Sequence, residues 1–185
     1  MDTEGTSVSA VRRAVDSGIF VVAAAGNDGG EGDDGLVSVP GNVARVITVG
    51  ASDRSQEVWV NSSAGSQKLP NGDMRTDPHL KPEVVAPGVD IISTGAGDTW
   101  FSSSGTSDST VFVTGALSLL LEAFPQYKPT SESNGDCIDF VKESLRNSSL
   151  KYDELIAHDD HWGYGQLQVY KWYEDLNSRT TSCNE

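Results

Sequence analysis

Between positions 6 and 25 the chain passes from helical spacing to an unbroken apolar run. In TSVSAVRRAVDS, residues 6–17, Val8, Val11, Ala14 and Val15 share one helical face. Thr6 or Ser7 is placed to cap that helix and Gly18 to stop it. Ile19 to Ala25 is continuous and rich in β-branched residues, too short for a buried helix, and predicts a central parallel strand covered on both faces. Val43 to Val49 predicts a second strand and Val58 to Val60 a third. A polar stretch from Asn61 to Leu80, punctuated by Pro70 and Pro78, separates these from Lys81 to Thr94, which reads as strand, Pro-Gly turn and strand. Thr106 to Phe124 is helical and too apolar for a surface position, so it is expected to run through the core. Asp136 to Arg146 and Gln168 to Leu176 read as amphipathic surface helices. Alternating strands and helices predict an α/β fold with a mostly parallel sheet.

A length of 185 residues fits one domain. We take it as 1–185, with a core over 5–124 and a C-terminal helical region over 125–185. No apolar run reaches the ~20 residues of a membrane span. The acidic start MDTEGTSVSA lacks the basic flank and apolar stretch of a secretory signal. The charge changes the picture more. Against 27 Asp+Glu stand 13 Lys+Arg, a net of −14. Such a surface repels phosphate backbones and excludes a nucleic-acid binder. The acidic excess, with only six lysines, suits a halophilic protein kept soluble in concentrated salt. Two cysteines, Cys137 and Cys183, allow one bridge or two free thiols.

Three segments carry candidate chemistry. AAAGN ends at Asn27 directly after the first buried strand, VVAPGVDIIST spans Val84 to Thr94, and SSSGTS, Ser102 to Ser107, opens the apolar helix. Alone, a Ser at a helix start is a cap and an Asn after a strand is a turn residue. Together they place a hydroxyl, Ser107, where unsatisfied backbone N–H groups and the positive end of the helix dipole meet. An oxyanion formed by attack of that hydroxyl on a carbonyl would be stabilised there. Asn27, held by a stiff strand, offers an amide donor to the same oxygen, and Gly105 lets a substrate backbone approach closely.

In their order, AAAGN, VITVGA, KPEVVAPG and SGTS over residues 5–124, with WGYGQLQVY near the C-terminus, the segments resemble the subtilisin-like serine proteases (subtilases, peptidase S8). The resemblance implies a three-layer α/β/α fold whose N-terminal strands are missing. It makes Ser107 the nucleophile and Asn27 the oxyanion donor. It also puts Ala24, Ala25 and Gly26 on one wall, and Ser38 at the floor, of the pocket for the residue before the scissile bond. The family's Asp and His precede the asparagine segment. Here Asp2 and Asp16 precede it, and no histidine does. His79, His158 and His161 all follow it, where the family has no catalytic role. The family's G-T-S-M-A-x-P-H-V-A-G reads GTSDSTVFVTG here, with Asp108, Val111 and Phe112 in place of Met, Pro and His. An anionic Asp108 opposes an oxyanion forming beside it.

The expected function is therefore the serine-bearing part of a subtilisin-like endopeptidase, active on polypeptides only when another polypeptide supplies Asp and His. The alternative is an inactive pseudoenzyme, a structural or interaction protein within a larger assembly. In either case a partner chain is expected along the uncovered edge of the Ile19–Ala25 strand. No cofactor is required. The acidic loop Asp28 to Asp34, and the segment Gly41 to Ile47 by resemblance, offer oxygen ligands that suit Ca2+. HDDH, His158 to His161, offers metal ligands, but a solvated loop accounts for it more simply. The tripeptides beginning at Asn61 and Asn147 fit the glycosylation sequon, consistent with an extracellular protein or a surface assembly of virion type.

Overall fold

Three short parallel strands form the centre of the molecule, in the order β1-β2-β3: β1 is Val22–Ala24, β2 Ile47–Ser52 and β3 Val84–Pro87. The computed structural model describes residues 5–30, 35–69, 72–130, 134–154, 156–179 and 183. Val22 lies beside Ile47, and Val49 beside Val84. Because side chains alternate along a strand, these residues share one face of the sheet. On that face packs α2, Thr106–Ala123, through Val113, Ala116, Leu117 and Leu120. The same core takes in Val141 and Leu145 of α3, Asp136–Ser148, and Trp172 and Leu176 of α4, Val169–Ser178. On the other face Ala23 meets Val15 of α1, Thr6–Asp16, together with Val43, Val46 and Ile138. Cys137 and Cys183 are joined by a disulfide. No helix among the described residues is long and apolar enough to cross a membrane.

The α/β class and the parallel sheet agree with expectation, and several local readings are corrected. Strand β1 covers only the middle of Ile19–Ala25, and Ile19 is half exposed. The second strand starts at Ile47, not Val43. Val43 and Val46 are apolar because a turn, closed by Val46 N–H to Val43 C=O at 3.2 Å, packs them against α1. Val58–Val60 is no strand: Val58 makes one isolated bridge to Ser52, and Val60 is exposed. The strand read after the Pro-Gly turn is β4, Ile91–Gly95, but its partner went unpredicted: β5, Thr99–Ser103, pairs with it antiparallel around Gly97 and Asp98, both at positive φ. Gly5, not Thr6 or Ser7, stands at the N-cap of α1.

Helix α2 is not buried all round. Val111 and Leu119 are each 69% exposed and Phe112 45%. Its sheet-facing side is filled as expected. Its opposite side carries large apolar groups with nothing among the described residues laid over them. The outer side of β1 likewise has no strand partner among the described residues.

Candidate active site

The first turn of α2 is fixed from three directions. Gly105 N–H donates to Gly88 C=O at 2.8 Å, and Ser109 Oγ donates to Ala86 C=O at 2.9 Å, so β3 and its following turn hold the helix start. A Cβ at Gly88 would overlap Ser109 Oγ and press on the Gly105 carbonyl, which is why the Pro-Gly pair ends the strand here. From the third side comes the end of β1. Asn27 Oδ1 accepts the Thr106 N–H at 3.0 Å and the Thr106 hydroxyl at 2.9 Å, while Thr106 Oγ1 accepts the Gly26 N–H at 3.2 Å. Gly26 holds φ +116°, and a Cβ there would come within 2.7 Å of Ser63 Oγ.

Two donors on Thr106 fix the orientation of the carboxamide, since only its oxygen can accept them. Asn27 Nδ2 is then left on the Gly105 side, 3.3 Å from where a Cβ of that residue would stand. Ser107 follows Thr106 in the same turn and is exposed, whereas Thr106 is buried. Its N–H belongs to the first turn, where no helical carbonyl is available. The Asn27 carboxamide and the Ser107 turn are thus in one place. Asp108 is also in this turn, and both its oxygens lie close to Ser103 Oγ, at 2.8 and 2.6 Å. An acceptor at a helix start is favoured by the dipole; here it also sets a carboxylate beside Ser107.

Ala25 is fully buried, and its carbonyl accepts the N–H of Ser38 at 3.3 Å. Ser38 and Asp28 line an open cavity of about 600 Å³. Ala24, Ala25 and Gly26 do not line that cavity, so of the residues read as a binding pocket only Ser38 does.

The histidines lie elsewhere. His79 Nδ1 is 3.1 Å from Lys142 Nζ, and its Nε2 is 3.5 Å from Asp139. Burial and Lys142 lower its pKa to about 4. His158 Nε2 is 3.0 Å from the Pro82 carbonyl, and burial lowers its pKa too. The HDDH loop is tied by other means: Asp159 Oδ1 accepts the N–H groups of His161 and Trp162, and Asp160 Oδ1 accepts Gln67 Nε2. Among the described residues no group of three His, Cys, Asp or Glu is placed to hold a metal ion. Glu31 to Asp34 of the acidic loop, and Asp2, lie outside the described residues. Asp16 pairs with Arg45 at 3.3 Å, not with a histidine.

A buried ionic cluster escaped the sequence reading. Glu83 Oε1 is 2.7 Å from Lys81 Nζ and 2.6 Å from Lys142 Nζ, and Glu83 Oε2 accepts the Thr48 N–H at 2.7 Å. All three charged side chains are essentially inaccessible, and burial lowers the pKa of both lysines against the pull of Glu83. The signal was in KPEVV: residues 81 and 83 share one face at the mouth of a buried strand.

The subtilase family (Peptidase S8) matches residues 2–165. Subtilisin E of Bacillus subtilis is 39% identical over 138 residues, covering 75% of this chain and 32% of its own. Serine protease AprX of the same organism is 31% identical over 167 residues, 83% of this chain and 35% of its own. The chain thus spans about a third of the length of these curated relatives. Among solved structures, the prenylagaramide maturation protease PagA superposes with a TM-score of 0.66 at 26% identity, over 91% of this chain and 54% of its own. The self-cleaved protease domain of PatA gives 0.69 at 25%, over 97% and 58%. The family match over most of the chain and these relatives agree: this chain belongs to the subtilase family.

Proposed function

We propose that the chain is the serine-bearing part of a serine endopeptidase, with Ser107 attacking the peptide carbonyl and Asn27 Nδ2 and the Ser107 N–H receiving the oxyanion. The observation that carries this reading is the pair of hydrogen bonds from Thr106 to Asn27 Oδ1, which lock the carboxamide beside the attacking turn. A fixed donor needs no reorganisation as charge develops. What the described residues lack near Ser107 is a base. A serine enzyme stripped of a triad member retains only ~10³–10⁴ over water. Activity therefore requires an Asp and a His from a further polypeptide segment. The open edge of β1 and the exposed row Val111, Phe112 and Leu119 give that segment a surface to pack on.

A second reading, a non-catalytic scaffold in a larger assembly, is favoured by Asp108, whose carboxylate sits in the attacking turn held by Ser103. A fluorophosphonate probe separates the two. Modification of Ser107, mapped by mass spectrometry in a preparation from the natural source, is the expected result. An unmodified Ser107 with every natural partner present refutes the protease reading.

A further inference from the structure

The turns over 41–46 offer backbone carbonyls, the hard oxygen ligands that suit Ca2+, and the resemblance to subtilases puts that ion on this segment. Whether the ion fits depends on what already faces those oxygens. Gly41 C=O accepts the Thr48 hydroxyl at 2.5 Å, and Asn42 C=O accepts Arg75 Nη2 at 2.7 Å. Ala44 C=O accepts Lys142 Nζ at 2.7 Å. Val46 C=O accepts Lys81 Nζ at 2.5 Å and Lys142 Nζ at 3.3 Å. Val43 C=O closes the turn onto Val46 N–H at 3.2 Å. The donors to Asn42, Ala44 and Val46 are all cationic side chains, and each reaches the turn from a distant part of the chain.

Each ammonium group is surrounded much as a metal ion would be. Around Lys142 Nζ stand the Ala44 and Val46 carbonyls, Glu83 Oε1 at 2.6 Å and His79 Nδ1 at 3.1 Å. Around Lys81 Nζ stand the Val46 carbonyl, Thr48 Oγ1 at 3.2 Å and Glu83 Oε1 at 2.7 Å, one acceptor for each of its three protons. Both side chains are essentially inaccessible. A carbonyl oxygen has two lone pairs, so a spare pair alone would not exclude a metal. Charge does. Glu83 gives both lysines a single negative charge, and Arg75 adds a third buried positive group beside them. A divalent ion brought to the same oxygens would meet like charges where the effective dielectric is low.

We infer that the 41–47 segment takes no Ca2+, because the ammonium groups of Lys142 and Lys81 are built-in cations that hold its carbonyls in place of a metal ion. The residues present thus disagree with the ion that the resemblance implies. A cation tethered to the chain can be neither chelated nor diluted away, so the order of this turn is independent of the calcium concentration around the protein. The inference does not depend on the protease reading above.

The test uses the full chain and has two arms. In the first, calcium chloride is titrated into the parent while its amide NMR signals are followed. Those of residues 42–47 are expected to stay in place, and movement confined to other signals is the surface binding expected of so acidic a chain. In the second, Lys142→Ala removes one of the built-in cations. It is expected to melt about 6–20 °C below the parent, as the loss of one partner of a buried ion pair implies. Ammonium chloride, which supplies the same charge and the same donors, is expected to restore about half or more of that loss. Tetramethylammonium chloride, which has the charge but no N–H donor, controls for ionic strength. Saturable movement of the 42–47 signals as Ca2+ is added to the parent overturns the inference. So does a folded Lys142→Ala that gains no more from ammonium than from tetramethylammonium. Where Lys142→Ala does not fold, the titration of the parent decides.

Discussion

Replacing Glu83 by glutamine removes one negative charge from between two ammonium groups and changes almost nothing in shape. The carboxylate is 2% exposed and accepts from Lys81, Lys142 and the Thr48 N–H. A carboxamide oxygen can keep some of these bonds, but its NH2 then faces a donor, and both lysines lose their countercharge. Removing one partner of a buried ionic group costs about 3–5 kcal/mol. We expect that loss at pH 7, where a whole small domain has only about 5–15 kcal/mol to lose. The pH dependence is the sharper check. Burial holds both lysines below their ordinary 10.5, and Glu83 opposes that fall, so its removal lowers them further. A base with a depressed folded pKa binds fewer protons in the native state than in the unfolded one, so stability rises with pH between the folded value and 10.5. The deficit of the Glu83→Gln variant should therefore narrow as pH is raised from 7 toward 10, because neutral lysines no longer need the carboxylate. Urea unfolding of both proteins across that range reads this directly. A variant within 1 kcal/mol of the parent at pH 7, or a deficit that does not change with pH, refutes the account.

Asp108→Asn should raise the rate of fluorophosphonate labelling at Ser107 about tenfold or more, by removing a charge that opposes the oxyanion, while costing about 0.3–1 kcal/mol of helix stability; a slower rate counts against the assignment. His79 is held neutral, its pKa lowered to about 4 from 6.5, so its contribution is complete above pH 6.5 and lost as pH falls toward 4. His79→Gln should flatten the stability profile across that window, as followed by thermal unfolding. Cys183→Ser opens a bridge between residues 46 apart, for which loop-closure entropy gives about 4 kcal/mol. A reducing agent should lower the melting temperature of the parent and leave the variant unchanged.

Much of this was legible in the sequence. The helix over 106–123 and the strand at 84–87 declare themselves by apolar runs bounded by Gly and Pro. The placement of Asn27 and Ser107 at one helix start was readable because each sits at the end of such an element, where position follows from local rules. What was not legible depended on contacts distant in sequence. Val43 and Val46 read as a strand because their burial against α1 looks the same as burial in a sheet. The second strand of the hairpin, Thr99–Ser103, hid because Trp100 and Phe101 are both exposed, so no alternation marks it. Lys142 lies beside the apolar stripe of α3, and only the arrival of Glu83 from β3 explains why it can be buried there. Arg75 gave no signal, since its surroundings are assembled from residues 38–42 and 66–69.

The two halves of a serine hydrolase are separable problems, and on the proposed reading this chain would meet them differently. The oxyanion half needs rigid amide donors. Here the proposed donors are held by the strand end at Gly26 and Asn27 and the turn at Gly88, each tied to the first turn of α2 through backbone groups and the neutral Asn27 and Thr106 side chains by bonds of 2.8–3.2 Å. None of those ties involves a titrating group, so the geometry should outlast any change that silences catalysis. For the proposed proton-transfer half, the described histidines His79 and His158 are engaged elsewhere, with Lys142 and Asp139 and with the Pro82 carbonyl. Into the gap the chain places Asp108. At a separation of ~5 Å and an effective dielectric of ~20, a carboxylate raises the energy of a neighbouring oxyanion by about 3 kcal/mol. That is comparable to the ~3–4 kcal/mol one oxyanion donor contributes. The Ser103 hydroxyl and the helix dipole reduce the penalty without removing it. Supplying an Asp and a His would thus restore a base to the proposed Ser107 nucleophile while leaving an opposing charge in its first turn. On the proposed reading, a segment that packed on the open edge of β1 would have to do more than complete a triad. To make the site fast, it must also bring a positive group near Asp108, or the substrate must carry one.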